Sequence, residues 1–331
     1  MRVLVTGGAG FIGSHLVDQL VDAGHDVIVL DNFSTGRRSN LSHSLRQPNI
    51  QLVKADIRKI PRSLVKRLRR VDRVCHLAAV TSVQQSIKDP VTTTEVNVVG
   101  TLNVLEAAKA LKAERVVFAS SAAVYGTPRA FPISEAASIS PISPYGVSKA
   151  ASELYLGSFE ANHGIETVSL RYFNVYGPRQ TPSQYAGVIS KFVRRALQQK
   201  TLEIYGDGSQ TRDFIYVSDA VDATVAALEK NLRDRVFNIA SGTETTILEL
   251  AKTIQRIAES RSELKFCPPQ TGDIARSIAD TTKARNEMGS TARTPLHMGL
   301  SATTKWLAET DRARRADRHT ATRKPQEKTN C

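Results

Sequence analysis

The chain lacks most of what would take it out of the ordinary globular class. Its 3 cysteines, Cys75, Cys267 and Cys331, are odd in number and far apart. No Cys-x-x-Cys pair or Cys/His ligand spacing accompanies them, so no disulfide framework or metal is expected, and free thiols in a reducing compartment account for them. No stretch approaches the ~20 consecutive apolar residues of a membrane span. The opening, MRVLVTGGAGFIGSH, has no charged leader and no small-residue cleavage site, so a cytoplasmic protein with no membrane contact is expected. No internal repeat is visible. The formal net charge is +13, yet no nucleic-acid motif goes with it, and a nucleic-acid partner is not expected. Much of that charge lies in residues 58–70, read as a surface helix, and after Trp306.

What is present is a balanced composition, 41% hydrophobic and 23% charged over 331 residues, enough for one large or two modest domains. Residues 2–6 (RVLVT), 26–30 (DVIVL), 50–54 (IQLVK), 73–77 (RVCHL), 116–119 (VVFA) and 166–171 read as near-continuous apolar strands. Helical spacing appears between them, at 11–23, 94–111 and 144–163. Such strands, alternating with helices, predict an α/β fold whose parallel sheet is covered on both faces. Beyond Asn174 the pattern loosens. Turn signals stand at Gly177-Pro178, Tyr205-Gly206-Asp207-Gly208 and Pro268-Pro269, with helical stretches at 185–199, 218–229 and 247–260. Residues 1–174 are therefore expected to form the sheet domain and 175–310 a smaller region, with some interleaving of chain. Residues 311–331, basic and nearly without apolar side chains, read as a disordered tail.

Glycines at 7, 10 and 13 fall between the first strand and the first helix. A missing Cβ permits a tight turn and lets backbone N–H groups approach a pyrophosphate, while the helix start favours negative charge. Asp31 ends the second strand, about 20 residues further on, where a carboxylate bonds the ribose hydroxyls of a dinucleotide and repels a 2′-phosphate. This selects NAD over NADP. Asp56, at the end of the third strand, is a second candidate contact on the adenine side.

Tyr145 and Lys149 stand at i and i+4 on a predicted helix, so phenol and ammonium share one face. Their ordinary pKa values are ~10 and ~10.4; a fixed ammonium beside the phenol favours phenolate and moves its pKa towards neutrality. Ser120 and Ser121 end the fifth strand, at the carboxyl edge where open α/β sheets place ligands. A Ser121 hydroxyl there can hold a substrate oxygen between itself and Tyr145.

TGGAGFIGSH at 6–15, LDN at 30–32, HLAA at 76–79, SSAAVYG at 120–126, PYGVSK at 144–149, RYFNVYGPRQ at 171–180 and GDGSQTRDFIYVSD at 206–219 occur in this order. In these blocks the chain resembles the extended short-chain dehydrogenase/reductases, and within them the NAD-dependent nucleotide-sugar epimerases, from Val3 to about Trp306. The resemblance implies a Rossmann-type doubly wound parallel sheet with a smaller C-terminal substrate-binding region. It implies Ser121, Tyr145 and Lys149 as catalytic residues. It implies Gly7, Gly10, Phe11, Ile12, Gly13, Asp31, Asn32, Asp56, Ile57, Leu77, Ala78, Ala79, Asn97 and Tyr172 as cofactor contacts, with Tyr145, Lys149 and Phe173 beside the nicotinamide. Thr81, Ser82, Asn174, Gly187, Val188, Arg212, Arg276 and Ser277 are the expected substrate neighbours, Asn174 and Arg212 at the diphosphate. A homodimer is expected, through helices near 92–113 and 144–163.

Dehydratases of this family carry Asp-Glu after the catalytic hydroxyl residue, because elimination of water needs an acid; here those places hold Ala122 and Ala123. A UDP-hexose 4-epimerase is the reading that results, with another nucleotide-sugar oxidoreductase (a UDP-glucuronate epimerase or a reductase) and a non-catalytic NAD sensor as rivals. Ser277 stands where a large aromatic excludes N-acetylated sugars in some relatives, so Ser277 and nearby Gly187 predict a roomy pocket. One departure cuts the other way. Relatives have Arg-x-Gly-Asp where this chain has Gln270-Thr271-Gly272-Asp273, and glutamine cannot supply an arginine's charged fork. Arg276 and Arg212 compensate, or diphosphate affinity is lower, or the ligand differs.

Overall fold

A computed structural model of the chain describes residues 1–180, 187–269 and 274–321. The sequence forms strands β1 (Arg2–Thr6), β2 (Asp26–Asp31), β3 (Ile50–Lys54), β4 (Arg73–His76), β5 (Arg115–Ser121) and β6 (Glu166–Tyr172). Six further strands follow: β7 (Asn174–Tyr176), β8 (Leu202–Tyr205), β9 (Thr211–Tyr216), β10 (Val236–Ile239), β11 (Glu244–Thr246) and β12 (Leu264–Cys267). The helices are α1 (Phe11–Asp22), α2 (Arg62–Leu68), α3 (Val83–Lys88), α4 (Pro90–Thr94), α5 (Gly100–Ala110) and α6 (Pro144–His163). After them come α7 (Val188–Leu197), α8 (Val217–Glu229), α9 (Ile247–Ile257), α10 (Thr282–Met288) and α11 (Leu296–Ala321).

The first strands are apolar on both sides because both sides are covered. Val3 and Val5 of β1 pack with Leu16, Val17 and Leu20 of α1 and with Ala220 and Val221 of α8. Leu4, between them, points the other way, into a core with Val104 and Leu105 of α5 and Leu156 and Phe159 of α6. The period of two along the strand thus splits one apolar run between two cores. The strands pair in the order β10-β6-β5-β4-β1-β2-β3, every neighbour parallel. Order reverses between β1 and β4, which opens a crevice at the carboxyl ends of those strands. This is a Rossmann-type doubly wound sheet.

The boundary after residue 174 is crossed. α8 closes the first core and β10 pairs with β6, so two later segments belong to the large sheet. The sequence pattern misses β10, which declares itself through its pairing with β6. Residues 58–70, read as one helix, form a 3-10 turn, Ile57–Lys59, and the short α2. Pro61, with no N–H to give, separates them. α11 runs through Ala321, into the segment 311–331 expected as a tail. Its earlier turns are anchored by Leu300 and Leu307 in a third core with α7, α9 and β8, and Asp311 pairs with Arg194 at 3.5 Å. A helix nucleated on packed turns extends cheaply through Ala and Arg, both good helix formers.

Candidate active site

The glycine turn lies at the carboxyl end of β1, against the loop that leaves β4. Gly7 has φ +70, and a Cβ on it would stand 2.7 Å from the Ala78 backbone nitrogen. A Cβ on Gly13 would lie 2.3 Å from the Gly7 carbonyl oxygen. Side chains at either place would fill the cradle or drive α1 off the sheet. No side chain caps the start of α1 at Gly10, so the first-turn amides, those of Phe11, Ile12 and Gly13, remain donors for an anion.

Asp31 ends β2 and is buried; its oxygens accept from the Ala9 amide at 2.9 Å and the Phe33 amide at 2.8 Å. It thereby fixes the glycine turn. A carboxylate offers about four lone-pair positions, so acceptor capacity is left for ribose hydroxyls, and Gly36 keeps the approach open: a Cβ there would stand 2.9 Å from both oxygens. The residues fit a dinucleotide. Asp56 is more committed. It accepts from Asn32 Nδ2 at 3.1 Å and from Arg58 Nη2 at 2.8 Å, and the Arg58 side-chain bond holds its carboxyl well below the usual range. Ile57 is a core residue lying against Gly100, so any contact it makes with a cofactor is through its backbone.

Helix α6 begins with Ser143 accepting from the Gly146 amide at 3.1 Å and Pro144 in the first turn, a strong start signal. It brings Tyr145 and Lys149 to the end of β5. Tyr145 is buried, and the Ser121 side chain is near enough to its phenol to favour the phenolate. Lys149 Nζ donates to the Ala119 carbonyl at 2.7 Å. It lies 4.7 Å from the Phe118 ring centroid and 5.9 Å from that of Tyr145. The three expected catalytic residues therefore converge.

Their protonation differs from the sequence expectation. Burial pushes the phenol up, and the nearby Ser121 side chain only partly offsets it. Burial also brings Lys149 down to about 7. The ammonium is held on a carbonyl and two ring faces rather than on the phenol oxygen, so desolvation outweighs the pairwise pull assumed from i and i+4 spacing. A positive charge arriving in the cleft is what would lower the phenol.

Asn97 sits in a π-helical turn, Glu95–Val99, between α4 and α5. Its Oδ1 accepts from the Val80 amide at 2.8 Å, and Nδ2 donates to the Val80 carbonyl and to Ser148 Oγ, both at 2.9 Å. Both amide hydrogens are thus used. Asn97 acts by fixing the loop after β4 to the face of α6 between Tyr145 and Lys149, not as a free cofactor donor. His76, at the end of β4, was not singled out from sequence. Thr101 Oγ1 donates to the Asn97 carbonyl at 2.5 Å, so it accepts from His76 Nε2 at 3.0 Å, leaving Nδ1 to accept from Thr6 Oγ1 at 2.6 Å. Burial, with Lys149 nearby, lowers His76 to about 3 and keeps it neutral. Ser86 supports the same corner, accepting from the Tyr145 amide at 3.1 Å.

The remaining expected residues are dispersed around this corner. Leu77–Ala79 follow β4; Thr81 is exposed and Ser82 caps α3 by accepting from the Gln85 amide at 3.0 Å. Tyr172 gives its hydroxyl to Thr224 Oγ1 at 2.6 Å, within the core between the sheet and α8. Phe173 packs with Tyr125 and Ile133. Asn174 opens β7 and donates to the Asp213 carbonyl at 3.2 Å. Arg212, on β9, donates to Thr211 and Ile274 carbonyls. Gly187 and Val188 start α7, and Ser277 is buried. Arg276 is half-exposed beside the strand β11. Its fork is taken by Glu244, at 2.8 and 3.0 Å, and it stacks 4.8 Å over the Phe131 ring. Gln270 to Asp273 lie outside the described residues.

Residues 3–240 match the model of the NAD dependent epimerase/dehydratase family. The chain belongs to this family, and its cofactor is NAD. A UDP-glucose 4-epimerase of Mycolicibacterium smegmatis is 40% identical over 308 residues, covering 93% of this chain and 98% of that protein. The crystal structure of a Thermotoga maritima UDP-glucose 4-epimerase with UDP-glucose is 38% identical with TM-score 0.88, over 94% of this chain and 99% of that one. A UDP-N-acetylglucosamine 4-epimerase from Methanobrevibacter ruminantium, in complex with UDP-N-acetylmuramic acid, is 38% identical with TM-score 0.89, over 93% and 98%.

Proposed function

We propose that the chain interconverts UDP-glucose and UDP-galactose by inversion at C4, and that its pocket also admits the N-acetylhexosamine pair. The observation that carries this is the convergence of Ser121, Tyr145 and Lys149 beside the glycine turn, with Ala122 and Ala123 supplying no acid for elimination. Asp31 would bind the adenosine ribose of NAD, and the α1 amides its pyrophosphate. When bound there, NAD supplies a reversible hydride acceptor for C4. Ser121 holds the C4 oxygen, and Tyr145 takes the proton of the 4-hydroxyl and, once the 4-keto sugar has turned over, returns it to the C4 oxygen. Lys149 stabilises the phenolate. Asn174 and Arg212 would hold the diphosphate about which the intermediate turns.

A panel of UDP sugars followed by NMR tests the reading. Inversion at C4 without added NADH is expected, for UDP-N-acetylglucosamine as well as UDP-glucose. Turnover only with a stoichiometric reductant would replace the epimerase by a reductase. UDP-N-acetylglucosamine left untouched would remove the roomy pocket expected from Ser277.

A homodimer is the second part of the proposal. Leu154 is 74% exposed and Val147 52% on α6, beside Val91 at 67% on α4 and Ile87 at 57% on α3. These helices touch one another, so the side chains form one apolar face suited to an identical face on a second copy. Light scattering should give about twice the 36.2 kDa chain mass, and Leu154→Glu should return it to the monomer. A wild-type monomer at micromolar concentration would end this proposal.

A further inference from the structure

The turn that follows β7 holds its backbone where few residues go. Gly177 lies at φ +151 and Arg179 at φ +66. Glycine suits the first place, since a Cβ there would stand 2.5 Å from Val217 Cγ1. An arginine in the left-handed region is strained, and it persists only where its surroundings hold it. What holds it is helix α1. Arg179 Nη2 pairs with Asp18 Oδ2 at 2.7 Å, the two side chains being 23% and 16% exposed. Ser44 Oγ donates to the other oxygen of Asp18, and His15 Nε2, one turn earlier on α1, donates to the Pro178 carbonyl at 3.0 Å. Arg179 Nη1 is buried without a hydrogen-bond partner among the described residues. The next residue reaches the opposite way. Gln180 Oε1 accepts from Ser190 Oγ of α7 at 2.6 Å, and its Nε2 donates to the Val175 carbonyl of β7 at 3.4 Å. A Cβ on Gly187 would lie 3.6 Å from the same Nε2.

We infer that Gly177–Gln180 is a strut between the two ligand regions, with Arg179 a positioning residue that sets the nucleotide-sugar side against the cofactor helix. This rests on the proposed reading of Asn174, Gly187 and Val188 as substrate neighbours. Helix α1 offers its first amides to the pyrophosphate of NAD and, two turns on, Asp18 to Arg179. One rigid element therefore registers both. From Arg179 the constraint passes to Gln180, and from Gln180 to the strand that begins at Asn174 and to the first turn of α7. Ser121, Tyr145 and Lys149 stand on β5 and α6, outside the strut. Releasing the ion pair thus loosens the hold on the nucleotide sugar and leaves the proton transfer as it was.

Arg179→Gly is the decisive variant, because glycine accepts φ +66 without strain; the turn survives and the ion pair does not. In the NAD-loaded enzyme, the dissociation constant of UDP by calorimetry and the KM for UDP-glucose should each rise about fivefold, with kcat within about twofold. NAD content should stay at the wild-type level. Arg179→Lys, which keeps the charge, should recover most of the affinity. Asp18→Asn, which keeps the shape and removes the charge, should weaken UDP in the same direction and serves if the glycine variant fails to fold. Wild-type affinity for UDP in a folded Arg179→Gly or Asp18→Asn protein overturns the inference. So does loss of NAD with UDP affinity intact once NAD is restored, since the pair would then support the cofactor helix alone. Unchanged UDP affinity in Asn174→Ala would instead overturn the underlying substrate role, so the two failures are distinct.

Discussion

Tyr145→Phe is expected to lose about 10²–10⁴-fold in kcat, the usual worth of a positioned general acid–base group, while NAD remains bound. The substitution removes one oxygen and keeps the ring, so the buried packing at the start of α6 persists. Ser121 keeps the bond it accepts from the Ala123 amide at 3.2 Å. The loss should fall on kcat more than on KM, because the proton is moved only as the C4–H bond breaks. Full activity in the variant, measured with its cofactor content, would take Tyr145 out of the chemistry.

The second large effect belongs to the cradle. Gly13→Ala would set a methyl carbon 2.3 Å from the Gly7 carbonyl oxygen, and backbone on both sides leaves nothing flexible to yield. Either α1 moves away from the sheet or the glycine turn opens. Both displace the amides of the first helical turn from a pyrophosphate. Forced overpacking of this kind costs about 1–3 kcal/mol, which is up to roughly 100-fold in affinity if borne by the binding site. The purified variant should contain little NAD and melt at a lower temperature. Normal NAD content would mean that the turn is not the pyrophosphate site.

How far the residues announced this structure varies with the physics of each part. The six long strands of the first half were legible because burial on both faces makes an apolar run, and Arg2–Thr6 and Ile50–Lys54 keep the bounds read from sequence. Tyr145, Lys149 and Ser121 were legible through helix spacing and the strand end. Less visible was anything that depends on partners distant in sequence. Asp18 looks like an ordinary helical aspartate until Arg179 and Ser44 are brought to it, and His76 looks like one more strand residue until Thr6 and Thr101 are. The protonation of the couple was misjudged for the same reason. Spacing gives the distance between two groups but not the depth of burial, and here depth dominates. Val236–Ile239 is missed because it is held by a partner distant in sequence: the edge of β6 has unpaired backbone groups to offer.

That last strand bears on how the molecule is made. A nascent polypeptide emerging as far as Asn174 already contains the glycine turn, the carboxylate proposed to bind the ribose and the three residues proposed for the reaction centre. It still lacks the helix that roofs Val3 and Val5, and β6 still has a bare margin. The first gap closes once synthesis has passed Glu229, the second only after Ile239. The catalytic corner therefore cannot mature as an autonomous early module; its completion waits on chain that is translated much later.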